Sequence, residues 1–111
     1  WFTWKTPALD GRPRSIHACD LPFCFDNTDR HENLTGGGPE PRELAAIVSD
    51  AWIHFARFGN PNHAGLPDWP AFSKESCPTM IFDTQCQLRN NPDKEERQVL
   101  AKSIPFLELG G

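Results

Sequence analysis

The chain has no tyrosine and a single methionine, and no apolar run in its 111 residues approaches the ~20 that a membrane-spanning helix needs. Basic residues do not gather either. Arg12, Arg14, Arg42, Arg57, Arg89 and Arg97 are scattered, and the net charge is −4. Neither a nucleic acid nor an anionic membrane is therefore an expected partner. The four cysteines, at 19, 24, 77 and 86, are too few for a disulfide scaffold, and their C-x4-C and C-x8-C spacings miss the C-x2-C pairs of zinc ribbons and redox motifs. They read as free thiols acting as small hydrophobes. Thiols outside any framework lean toward a reducing, cytoplasmic setting. Repeats and low-complexity segments are absent, and Gly36–Gly38 lack the following Lys-Ser/Thr of a phosphate loop. Those glycines are expected to form a flexible lead into the next helix, and no cofactor or metal is expected.

What is present is concentrated. Eight Phe and four Trp supply large apolar groups, each able to bury roughly 150–250 Å². Eleven Pro and eight Gly imply much loop and turn. The length suits one small unit spanning residues 1–111. The chain opens inside an aromatic, strand-like run and reads as cut from something longer.

Hydrophobic periodicity predicts one long helix. Leu44, Ile47, Val48, Ala51, Trp52, Phe55 and Phe58 fall at i, i+3, i+4 spacing. Pro39 and Glu40 mark its start, Arg57 and Gly59 its end. Such a stripe is expected to be core, which makes Trp52 and His54 poor ligand candidates. Residues 1–4 read as a buried strand, "TMIFD" (79–83) as another, and "TQCQLRN" as its return. "LPFCF" has the aromatic character of a short strand, although Pro22 demotes it to an irregular or edge segment. A last helix is predicted from Pro92, stopping at Pro105, with a frayed tail at 106–111.

The densest chemistry lies in "SIHACDLPFCF", residues 15–25, where His17, Cys19, Asp20 and Cys24 crowd together. A metal site on His17, Cys19 and Cys24 fits the spacing poorly and would be exposed by metal analysis. His31 and His63 lie in polar loops and His54 on the amphipathic helix, so all three are expected to be solvated. Asp20 is expected to bond nearby backbone amides.

The order of these pieces resembles the C-terminal end of the type B carboxylesterases, the family of para-nitrobenzyl esterases and cholinesterases. The resemblance rests on "W-K-T-P", then "H-A-C-D-L-P-F-C-F-D-N". "A-W-I-H-F-A-R-F-G-N-P-N" and "D-W-P-A-F" follow, then "P-T-M-I-F-D-T" and "N-N-P-D-K-E-E-R". It implies an α/β fold class, here the C-terminal part of an α/β-hydrolase, incomplete alone. It also implies cleavage of small carboxylic esters by a Ser, an acid and a His in that chain order. The family's general base maps onto His17. Where the family usually has Glu this chain has Asp20, and where it often has Val this chain has Cys24.

An imidazole suits the role because it can take the proton of a serine hydroxyl and later give it to the leaving alcohol. The other parts are missing from these residues. No G-x-S-x-G elbow flanks Ser15, Ser49, Ser73, Ser76 or Ser103, and "TGGG" follows the His instead of preceding it. The expected partner is therefore the remainder of the esterase domain, without which the chain should be inactive. Its unpaired strand edges and the face of Trp52, Phe55 and Phe58 should favour self-association. An alternative is a non-catalytic, cholinesterase-like assembly module.

Overall fold

The computed structural model describes residues 1–103. The expected helix stop at Pro105 and the tail at 106–111 lie outside them. In chain order the regular elements are a short helix α1 (Leu21–Cys24), a second short helix α2 (Glu32–Thr35) and the long helix α3 (Pro39–Phe58). Strands β1 (Pro78–Ile81) and β2 (Gln87–Asn90) and helix α4 (Lys94–Ser103) follow. The mixture of helices with a small two-stranded sheet is a partial α/β fold.

α3 forms where its apolar period predicts. Pro39 and Pro41 stand in its first turn, where a missing N–H costs nothing, and Glu40 faces the positive end of the macrodipole. Gly59 ends it in the left-handed conformation (φ 68°), its N–H donating to Phe55 O at 2.8 Å. Leu44, Ala45, Val48 and Ala51 are buried with Phe23, Trp4, Met80 and Phe82 in one core. The stripe does not stay buried along its length. Trp52, Phe55 and Phe58 are 50, 58 and 72% exposed, and the last buried residue of the helix is Ala51. Core packing along the stripe thus stops short of these three, which form the open apolar face expected of them in this segment.

The glycine run turns the chain from α2 into α3 through two positive-φ residues. Gly36 caps α2 at φ 80°, ψ 149°, and Gly38 precedes α3 at φ 96°, ψ −169°. Both are regions that L side chains avoid. A Cβ on Gly36 would meet Pro7 Cγ at an ordinary contact distance of 3.4 Å, and Gly38 has open space around it, so the strain at both lies in the backbone. Gly36→Ala and Gly38→Ala are each expected to cost about 1–3 kcal/mol. Gly37→Ala, at ordinary φ, should be near neutral. Urea midpoints of the three variants check this, and equal midpoints would refute it.

β1 and β2 pair antiparallel, with Met80 opposite Leu88 and Ile81 opposite Gln87. β1 is almost wholly buried and β2 almost wholly exposed. The opening aromatic run is not a regular strand. It makes a single parallel bridge, Phe2 to Phe82, with Thr3 N–H donating to Phe82 O (2.9 Å) and Phe82 N–H to Trp1 O (2.8 Å). "LPFC" is a helical turn, not a strand, since Pro22 suits the first turn of a helix and its fixed φ outweighs the aromatic β-preference. α4 buries none of its residues, leaving Val99 and Leu100 more than half exposed.

The connection after α3 is braced. Asn62 Oδ1 accepts from Trp69 N–H at 2.6 Å, and Asn62 Nδ2 donates to Trp69 O at 2.8 Å. Trp69 then packs edge-on against Phe82, ring centres 6.0 Å apart. His54 and His63 are half-buried rather than solvated. His54 bonds Asp50 O at 2.8 Å and His63 bonds Ile47 O at 3.0 Å.

Candidate active site

His17 sits at the second position of a tight turn closed by Cys19 N–H to Ile16 O at 3.2 Å. Its ring is exposed. The next residue, Ala18, has φ 64°, a left-handed conformation that costs a non-glycine residue roughly 1–2 kcal/mol. The turn persists because both of its stems are tied down. Thr6 N–H donates to Arg14 O at 3.0 Å, and Ser15 Oγ–H donates to Phe2 O at 3.1 Å. With that proton committed, Cys19 S–H is left to donate to Ser15 Oγ, 3.6 Å away. On the other side the chain enters α1, where Asp20 O accepts from Phe23 and Cys24 N–H at 3.0 Å each.

The crowd of reactive side chains in this stretch disperses. Cys19 is buried, 2% exposed. Burial raises the Cys24 thiol above its ordinary range, and the negative charge of Asp20 adds to it, so it stays protonated at neutral pH. The Asp20 carboxylate makes no cap bond to the amides of α1, which corrects the expectation of backbone support from it. Among the described residues, no three His, Cys, Asp or Glu side chains gather as a metal cage. His17 is thus the one reactive side chain of the stretch presented outward on a braced turn.

Two residues join this region that the linear pattern did not single out. A shallow recess of about 270 Å³ beside the His17 turn is lined by Ala18, Leu21, Phe25, Asn27, His31 and Leu34. His31, expected to be a loop bystander, therefore lies on the same recess as Ala18. Asn27 Oδ1 is buried with no hydrogen-bond partner among the described residues, an acceptor left over in a mostly apolar surface. No local sequence signal marks either. Both reach the recess only because α1 and the 310 turn Thr28–Arg30 fold back on one another.

Residues 3–100 match the model of the carboxylesterase family. The chain belongs to that family. Over 104 residues it is 36% identical to the para-nitrobenzyl esterase of Bacillus subtilis, an alignment covering 92% of this chain and 21% of that protein. It is 38% identical over 78 residues to human cocaine esterase, covering 66% of this chain and 13% of that protein. Among solved family structures, an esterase of Clostridium hathewayi superposes with a TM-score of 0.78 at 33% identity. That match covers 93% of this chain and 20% of the other. A Geobacillus stearothermophilus carboxylesterase gives 0.71 at 35% identity, with coverage of 87% and 20%. The carboxylesterase-family chain described here thus spans about a fifth of the length of its relatives. Its fold is the corresponding part of their α/β-hydrolase domain.

Proposed function

We propose that this segment supplies the general base of a carboxylic-ester hydrolase, with His17 accepting the nucleophile's proton and returning it to the leaving alcohol. The observation that carries the reading is the His17 turn: an exposed imidazole on a strained, doubly anchored turn, at the position where the family's H-A-x-E-L-P-F stretch has its histidine. Serine, triad acid and oxyanion donors, the last usually the largest electrostatic contribution, would come from the portion of the domain outside these 111 residues. That portion would be the partner of this chain and would build the ester-binding pocket. The recess with Asn27 and His31 would face it from beside the base.

The test is substitution of residues 1–111 for the matching segment of the Bacillus subtilis para-nitrobenzyl esterase. The graft is expected to hydrolyse a short-chain para-nitrophenyl ester, with turnover abolished by a serine-directed phosphonate. The 111-residue chain alone should show only background. Phosphonate-sensitive turnover by the chain alone, lost in His17→Ala, would overturn the division of labour. A folded but inactive graft would favour the non-catalytic assembly reading instead.

The apolar surface left open by this fold has a consequence of its own. Trp52, Phe55, Phe58 and Phe72 are each at least half exposed, and among the described residues β2 presents an unpaired edge. Such surfaces close on one another when nothing else covers them. The chain alone is expected to self-associate. Light scattering that finds a monomer at high concentration would refute this.

A further inference from the structure

We infer that His63 is a proton-sensitive latch holding the 59–70 connection onto α3. This is independent of the proposed esterase role. The assignment follows from donors and acceptors alone. His63 Nδ1 lies 3.1 Å from the backbone N–H of Gly65, which can only donate, so Nδ1 must be the unprotonated, accepting nitrogen. The other nitrogen, Nε2, lies 3.0 Å from Ile47 O on α3, which can only accept, so Nε2 carries the proton and donates. Both bonds can exist together only in the neutral ring with Nε2 protonated. A second proton would go onto Nδ1 and oppose the Gly65 N–H. The bond to Ile47 O would survive, while the turn that runs through Leu66 N–H to His63 O (3.1 Å) would lose its support.

Two further features fit a built latch. Gly65 approaches the ring so closely that a Cβ there would stand 2.9 Å from His63 Cε1, so only glycine allows this contact. His54 stacks on the same ring, centres 5.5 Å apart and planes 30° from parallel. Its own Nδ1, bonded to Asp50 O, is the protonated nitrogen of that ring. Two neutral imidazoles stack well, and two cations at that distance repel. The other ionisable groups on the elements packed against His63 are Glu40, Arg42, Glu43, Asp50 and Arg57 on α3 and Asp68 on the connection. Among the described residues no ion pair joins any of them to His63.

What the latch holds is the connection that carries Leu66 and Trp69 onto the core. Acid is expected to loosen the turn at Gly65 while α3 stays formed. The test is a pH series on the full chain, spanning the range in which imidazoles gain a proton. Long-range ¹H–¹⁵N spectra would report the ring tautomers, and amide exchange the protection factor of Gly65. The expected result is an Nε2–H His63 ring at high pH. On acidification Gly65 protection should fall about five- to tenfold, the worth of one hydrogen bond, with Val48 and Ala51 unchanged. His63→Gln, which can donate to Ile47 O and accept from Gly65 N–H without titrating, should keep protection at both ends of the series. His54→Gln should leave the Gly65 step in place. An Nδ1–H ring at high pH, pH-independent protection of Gly65, or a His63→Gln variant that still shows the step would overturn the latch.

Discussion

His17→Ala, made in the esterase graft, is expected to lower kcat for a para-nitrophenyl ester by about 10⁴-fold or more, with KM little changed. The base acts only as the serine proton leaves, so its removal raises the barrier without weakening ground-state binding. The braced turn makes the comparison clean. Its anchors are backbone groups and the Ser15 and Cys19 side chains, none of which the substitution removes. His31→Ala is the control, because His31 is the other imidazole beside this recess. It should retain activity within a few-fold. If the two effects were reversed, the base would be His31, and the mapping of the family's histidine onto His17 would fall.

The second large effect is on folding. Phe23→Ala is expected to cost about 3–5 kcal/mol, the usual loss for a buried aromatic. Phe23 is fully buried, and its ring lies 5.0 Å from that of Phe2 and 5.5 Å from that of Trp4. Those contacts join the opening segment, α1 and α3 into one core, so the cavity has no flexible wall to close it. Small domains are stable by only about 5–15 kcal/mol, and this loss would take much of it. Phe25→Ala, two positions on and 74% exposed, should change stability by about 0.5 kcal/mol or less. Urea unfolding followed by circular dichroism separates them. Similar midpoints for the two variants would show that Phe23 does not anchor the core.

The contrast between these two phenylalanines shows where the sequence was legible. α3, the β1–β2 pair and α4 follow from period and punctuation, because each is decided by residues within one element. The stretch "LPFCF" misled because aromatic content argued for a strand, while Pro22 at the start of a helix decided the matter locally. Phe23 faces inward and Phe25 outward as the turn dictates. The long stripe of α3 was legible as a helix, and it is buried as far as Ala51 and open beyond. Nothing local to Trp52 or Phe55 reports which distant segments would cover that part of the helix. At the candidate site, His17 stood out through its motif. Its anchors on Phe2 and Ser15, and the approach of Asn27 and His31, depend on contacts between distant segments that no local pattern encodes. His63 was hidden for the same reason, its acceptor lying on Ile47, 16 positions away.

The parallel bridge between Phe2 and Phe82 also bears on how this molecule assembles over time. Its bonds join residues about 80 positions apart, so most of the chain must be gathered before they can form. Contacts of such long sequence separation are slow to form, because their entropy is spent before they return anything. α3 and the β1–β2 hairpin, built from near neighbours, can be in place earlier. Ser15 hangs the His17 turn from Phe2 itself, so the turn shares its attachment point with this late closure, although its own bonds join near neighbours.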